Sequence, residues 1–283
     1  MQPLNRVVVT GAAGLLGGYV LSACRARGWE VMGLDLRPEA QRSIVACDLM
    51  DAGRTLACLR GADAVLHVAA LPRPTGFTAD EVFSTNIRSL FTVLAALESL
   101  AIRRLVYASS FSVLGLPFAP TSPVLDFLPV SEDHPSRPQD MYALSKWLGE
   151  EMIDAWVRRT GSAATSLRMP WVQTSATFER EVVPRRTTAD AELDLWAYID
   201  ARDAANAFVA ALDSDRPGHD RAFISAADTY ARSATDTLVR ASRWVEVPRR
   251  SALNGHASLI GTEHATRTLG WRPRHSWREY DNT

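Results

Sequence analysis

The sequence predicts an α/β fold, a doubly wound parallel sheet with a small C-terminal lobe, and three observations predict it. Short runs that are apolar throughout recur along the first two-thirds of the chain. Stretches with helical spacing separate them, and the first run opens straight into a glycine-rich turn. A strand covered on both faces by crossover helices has no solvent side, so it reads as a continuous apolar run.

The elements follow in order. Arg6–Thr10 (RVVVT) is a β-branched strand, and residues 14–27 carry helical spacing after it. Glu30–Asp35 is the second strand, with further strands at 43–47, 64–68 and 104–108. Long helices are expected at 79–100 and 142–160, and Ala163–Met169 is the sixth strand. The alternation then weakens. A strand at 195–200, a helix at 202–212 and a strand at 222–225 precede helical patterns at 228–242 and Glu263–Leu269. Seven of the eight tryptophans lie from Trp147 onward, which sets the later part of the chain apart. Residues 1–169 are therefore expected to form the sheet domain, and residues 170–283 a lobe interleaved with it.

Composition excludes several classes of function. Lys+Arg number 31 against 32 Asp+Glu, so no global field draws the chain to nucleic acid or an acidic membrane surface. No apolar run reaches the roughly 18 residues that span a bilayer. The start, Met1-Gln2-Pro3-Leu4-Asn5-Arg6, runs directly into a strand pattern, which points to a cytoplasmic protein. Cys24, Cys47 and Cys58 stand apart among apolar neighbours and are expected as buried, reduced thiols. The six histidines are scattered without ligand spacing, so no metal site is expected.

Chemistry enters at the first strand's end. Thr10-Gly11-Ala12-Ala13-Gly14-Leu15-Leu16-Gly17 places glycines at GxxGxxG spacing between strand and helix. Gly11 allows a tight turn, Gly14 lets backbone approach a pyrophosphate, and Gly17 lets the helix pack closely. A helix N-terminus there offers free N–H groups to the anion. This is the Rossmann-type arrangement. Asp35 ends the second strand, 24 residues after Gly11, where its carboxylate meets ribose hydroxyls and repels a 2′-phosphate. NAD is thus favoured over NADP, although Arg37 could accommodate that phosphate. Asp48, in Cys47-Asp48-Leu49, can reach the adenine amino group or cap a helix.

The second chemical motif is Tyr142-Ala143-Leu144-Ser145-Lys146. Four residues apart on a helix, Tyr142 and Lys146 share a face. A phenol with a pKa near 10 is a poor base at neutral pH, and a neighbouring ammonium lowers that value. A serine from Ser109-Ser110, at the fifth strand's end, can hydrogen-bond the same substrate oxygen.

With TGAAGLLG, CDL, LHVAA (Leu66–Ala70), YASS (Tyr107–Ser110), YxxxK and LWAYIDARD in this order, the chain resembles an extended short-chain dehydrogenase/reductase of the NAD-dependent epimerase/dehydratase branch. The resemblance covers nearly the whole chain. It implies a Rossmann-type fold with a small C-terminal substrate-binding lobe, and Ser110, Tyr142 and Lys146 as catalytic residues. Ser110 is preferred to Ser109 because it directly precedes Phe111-Ser112-Val113-Leu114-Gly115. The implied cofactor set is Gly11, Gly14, Leu15, Gly17, Asp35, Asp48, Leu49, Ala69, Ala70, Tyr142 and Lys146. Ser110, Phe111 and Arg185 are the substrate candidates, and a homodimer through the two long helices is implied as well.

Bland roles weigh against other candidates. His67 ends a buried strand and reads as a core or cofactor-wall histidine. Asn86 is expected to bond backbone near the site, and capping accounts for Asp200 and Asp203. Arg185-Arg186 fits an anionic substrate group or a solvated loop equally. No acid stands beside Ser110, which disfavours a 4,6-dehydratase. Only 114 residues follow Met169, which favours a compact, sugar-like substrate, as in the uronate dehydrogenases. The expected function is NAD-dependent hydride transfer at a carbohydrate-like secondary alcohol. An epimerase with retained NAD is the alternative, and a cofactor-sensing regulator on the same fold is the alternative of another class. The proline-rich stretch 115–141 is expected over the substrate mouth, where it could close on an intermediate.

Overall fold

The computed structural model describes residues 4–214 and 216–280, so the reading of the N-terminus falls partly outside the described residues at Met1, Gln2 and Pro3. The first half runs β1 (Arg6–Thr10), α1 (Leu15–Ala26), β2 (Glu30–Asp35), β3 (Ile44–Ala46), α2 (Ala52–Leu59), β4 (Ala64–His67), α3 (Ala79–Ser99) and β5 (Arg104–Ser110). There follow α4 (Met141–Thr160), β6 (Ala163–Met169), β7 (Trp171–Gln173) and two short turns, α5 (Ser175–Thr177) and α6 (Asp190–Leu193). The chain continues through β8 (Tyr198–Asp200), α7 (Ala201–Asp213), β9 (Gly218–Phe223), α8 (Thr235–Arg240) and α9 (Glu263–Leu269).

Seven strands form one parallel sheet in the order β3-β2-β1-β4-β5-β6-β9. The order reverses beside β1, so a crevice opens at the C-terminal ends of β1 and β4, at Thr10 and His67. The valines of β1 show how two faces are filled. Val7 and Val9 join α1, α7 and α9 in one core, through Val20, Leu21, Phe208 and Leu269. Val8 points the other way, to Leu59, Leu90, Leu97 and Trp156 of α2, α3 and α4. Burying each such side chain contributes about 1.5–3 kcal/mol.

A third core lies in the C-terminal lobe around Phe178, Trp196, Tyr198, Tyr230 and Trp277. The proline-rich stretch belongs to it. Leu116, Leu125, Leu128 and Val130 are buried there. Leu128 N donates to Pro248 O and Leu128 O accepts from Arg250 N, and Val130 repeats the pattern with Leu259 and Gly261. From Leu125 onward the stretch is packed into this core.

Other expectations change in the same part of the chain. The strand expected at 195–200 begins only at Tyr198, because Leu195 and Trp196 are left-handed at φ 53° and 48° as they close the turn after α6. The strand expected at 222–225 runs instead from Gly218 to Phe223. Its polar residues His219, Asp220 and Arg221 hide it from an apolar pattern. The helix expected at 228–242 shortens to α8, and Cys58 is half-buried while Cys24 and Cys47 are buried. Among the described residues, no helix is long and apolar enough to cross a membrane.

Candidate active site

The glycine turn is built by close contacts. Gly11 is left-handed (φ +67°), and a Cβ there would lie 2.7 Å from Ala69 Cα. A Cβ on Gly17 would lie 2.0 Å from the Gly11 carbonyl oxygen, so the first turn of α1 sits directly on the loop. Thr10 Oγ1 ties the two strand ends together, accepting from Ala69 N and sharing a proton with His67 Nδ1 at 2.9 Å. His67 is thus a satisfied core histidine; burial pushes its pKa down to about 3 and keeps it neutral.

Side chains cap the N-termini of α2 (Asp51), α3 (Thr78), α4 (Asp140) and α7 (Asp200). The N-cap of α1 is Gly14, with no side-chain cap. Its first amides are left for an anion, as a dinucleotide site requires. Asp35 stands beside them: Oδ2 accepts from Ala13 N and Oδ1 from Arg37 N. The Arg37 side chain is mostly exposed, with Nε 3.9 Å from Asp35. Asp48 is not a helix cap. It accepts from Met50 N in a local turn, leaving Asp51 to cap α2. Leu49 beside it is buried, Leu15 is exposed, and Ala69 and Ala70 are half-buried along the crevice. These residues fit a dinucleotide, with Gly14–Gly17 at its phosphates and Asp35 at its ribose.

At the other end of the crevice, Asp140 accepts from Tyr142 N and Ala143 N and so starts α4 at the tyrosine. Burial pushes the phenol pKa up to about 12, against a smaller lowering by the Ser110 hydroxyl beside it. Lys146 Nζ donates to Ala108 O at 2.7 Å and lies 5.0 Å from the Tyr107 ring centroid and 5.7 Å from that of Tyr142. Burial lowers its pKa to about 7, opposed by the charge of Glu150. The lowered phenol expected from sequence is absent here, since burial outweighs the effect of Ser110 and the ammonium points at the strand end. Ser109 donates to Glu150 Oε1 and turns away from Tyr142.

Two features escaped the sequence reading. Phe118 sets its ring edge-on to Tyr142 at 6.1 Å, half-buried at the start of the proline-rich stretch. An aromatic five residues after the Val113-Leu114-Gly115 turn begins was the available sign. The other is plain arithmetic: Lys146 is the only lysine in the chain, every other basic side chain being arginine or histidine.

The remaining candidates fall in place. Asn86 bonds Leu71 N and O and Ser145 Oγ, fixing the loop after β4 to α4. Phe111 is buried in the lobe core. Arg185 pairs with Asp194 and Asp190 of its own lobe, so it is not a freely solvated loop residue. Arg186 lies 3.9 Å from the Trp277 ring centroid and donates to Tyr230 O. Asp200 caps α7 as expected, but Asp203 accepts from Arg274 N and His275 N and anchors the C-terminal segment.

Known proteins resemble this chain. The family model described as NAD dependent epimerase/dehydratase family matches residues 7–224. A uronate dehydrogenase of Pseudomonas putida is 30% identical over 174 residues, 59% of this chain and 61% of that protein, so the match spans about three-fifths of its length. An L-arabinose 1-dehydrogenase (NAD(P)(+)) of Haloferax volcanii is 28% identical over 83% of this chain and 94% of its own. A UDP-glucose 4-epimerase of Corynebacterium glutamicum is 26% identical over 96% and 92%. Among solved structures, a short-chain dehydrogenase/reductase superfamily protein from Agrobacterium tumefaciens, with bound NAD, aligns with a TM-score of 0.76 at 23% identity, covering 98% of this chain and 94% of that one.

Proposed function

The chain belongs to the NAD-dependent epimerase/dehydratase family, and from that premise we propose that it is a dehydrogenase oxidising a compact, carbohydrate-like secondary alcohol. The observation that carries this reading is the placement of Ser110 beside the Tyr142 phenol, with Lys146 one helical turn on. Ser110 holds the substrate hydroxyl, and Tyr142 exchanges the proton of that oxygen. A phenol held near 12 keeps its proton at rest. Only as the phenolate, its own proton given up to solvent, can it take the carbinol proton; a cation that offsets the phenolate charge favours that form, and Lys146 is the group able to do so. NAD, when bound, takes the hydride. Gly11, Gly14 and Gly17 seat its phosphates and Asp35 its adenosine ribose, with Asp48, Leu49, Ala69 and Ala70 along the crevice.

Water elimination fits poorly, because Phe111 and Ser112 follow Ser110 where an acid would be needed, and both are buried. Residues 1–169 hold the cofactor in this reading and residues 170–283 cover the substrate. Phe118 supplies an aromatic face beside Tyr142 for a sugar ring. The ion pairs of Arg185 with Asp194 and Asp190 leave that arginine balanced, which speaks for a neutral sugar over an anionic one.

One observation favours a second reading. The UDP-glucose 4-epimerase relative aligns along almost the whole chain, so an epimerase that retains NAD is the alternative. Purified protein with NAD and a panel of aldoses, uronates and sugar nucleotides decides between them. The dehydrogenase reading expects one reduced cofactor per substrate oxidised. Inversion of one carbon without net NADH, together with copurifying NAD, would refute it.

A further inference from the structure

Glu150 lies on α4 one turn beyond Lys146 and two beyond Tyr142, so the three share one helix face. Its side chain is fully buried, which is unfavourable for a carboxylate unless each oxygen is partnered. Oε1 accepts from Ser109 Oγ at 2.6 Å and from Arg168 Nε at 2.9 Å. Oε2 accepts from Arg168 Nη2 at 2.6 Å and from Arg221 Nε at 3.0 Å. One carboxylate therefore ties α4 to β5, β6 and β9.

The tie falls where it matters. Ser109 stands between Ala108, whose carbonyl receives Lys146 Nζ, and Ser110, whose hydroxyl lies beside the phenol. We propose that Glu150 is a positioning residue of the hydride-transfer site: it fixes the strand end Ala108-Ser109-Ser110 against Tyr142 and Lys146, and its charge holds the Lys146 amine as an ammonium. The inference rests on reading Tyr142 and Lys146 as the acid/base pair.

The charges around Lys146 point the same way. From β4 comes His67, held neutral, and from β5 the Tyr107 ring and the Ala108 carbonyl. Arg168 of β6 and Arg221 of β9 are cations, each bound to Glu150. Farther along α4, Glu151 and Asp154 pair with Arg221, and Asp154 also with His219. Glu132 accepts from Phe223 N at the end of β9, and Asp140 faces the start of α4. Of these acids, Glu150 is the one whose charge opposes the effect of burial on Lys146.

The single lysine makes the test direct. Enzyme labelled with [ε-13C]lysine, free of any lysine-bearing tag, gives one side-chain resonance whose pH titration is that of Lys146. Glu150→Gln keeps the volume and removes the charge. Its midpoint is expected to fall by at least about half a pH unit, as loss of a buried opposite charge requires. Arg221→Gln strips a counter-cation from Glu150, and its midpoint is expected to rise. Opposite shifts do not follow from general loosening of the fold. An unchanged midpoint in folded Glu150→Gln overturns the proposal. If that variant does not fold, Arg221→Gln carries the test alone, and an unchanged or lowered midpoint there overturns it. The titration uses no substrate, so it fails or succeeds independently of the dehydrogenase reading, which turnover by Tyr142→Phe tests separately.

Discussion

In the proposed reading Asp35 decides the cofactor, and two bonds leave its carboxylate little freedom. Holding Ala13 N and Arg37 N, its carboxylate is fixed beside the free amides of α1. A 2′-phosphate would meet that charge at close range. The exposed Arg37 guanidinium is near enough to welcome a phosphate once the acid is gone. Asp35→Ala is therefore expected to weaken NAD about tenfold, by losing a charge-assisted bond to the ribose, and to narrow or reverse the preference over NADP. Calorimetric titration of both cofactors checks it, and an unchanged ratio would count against the assignment. The position of Asp35 beside the glycine turn was legible in sequence because it depends on one residue's distance from one turn. The true surroundings of Asp48 and Asp203 were not, since their partners are set by a local turn in one case and by residues about seventy positions away in the other.

At the scale of elements, the β1–α1 turn depends on the missing Cβ of Gly17. Gly17→Ala would force the first turn of α1 off the Gly11 carbonyl. Overpacking of this kind costs about 1–3 kcal/mol, and the displaced amides should lose NAD at least tenfold. Thermal denaturation with NAD titration measures both, and unimpaired binding would contradict the account. This turn and the start of α4 could be read from sequence because each is a local pattern with a local cause. β9 could not. Its polar residues are satisfied by Asp154 and Glu150 of α4, some seventy positions earlier, where His219 and Arg221 bind. The proline-rich stretch deceived for the same reason: its apolar residues close a core with residues 248–261, which no local pattern announces.

For the whole molecule, burial of ionisable groups under the crevice sets how stability follows pH. His67 titrates near 3 when folded against an ordinary 6.5, so between these values the unfolded chain binds the extra proton. Its contribution is complete above 6.5 and is lost as pH falls toward 3. Lys146 acts alike at higher pH, where stability rises between about 7 and 10.5. His67→Asn should show a shallower fall in Tm from pH 6.5 to 4 than the parent; an equal slope would remove His67 from the balance. The central claim concerns chemistry, and Tyr142→Phe tests it most directly, since the ring and its packing against Phe118 remain while the transferable proton is lost. Measured with the best substrate from the panel, turnover should fall by about 10²-fold or more, with NAD affinity unchanged. Turnover within a few-fold of the parent would contradict the account and leave the Tyr142–Lys146 pair without a catalytic role.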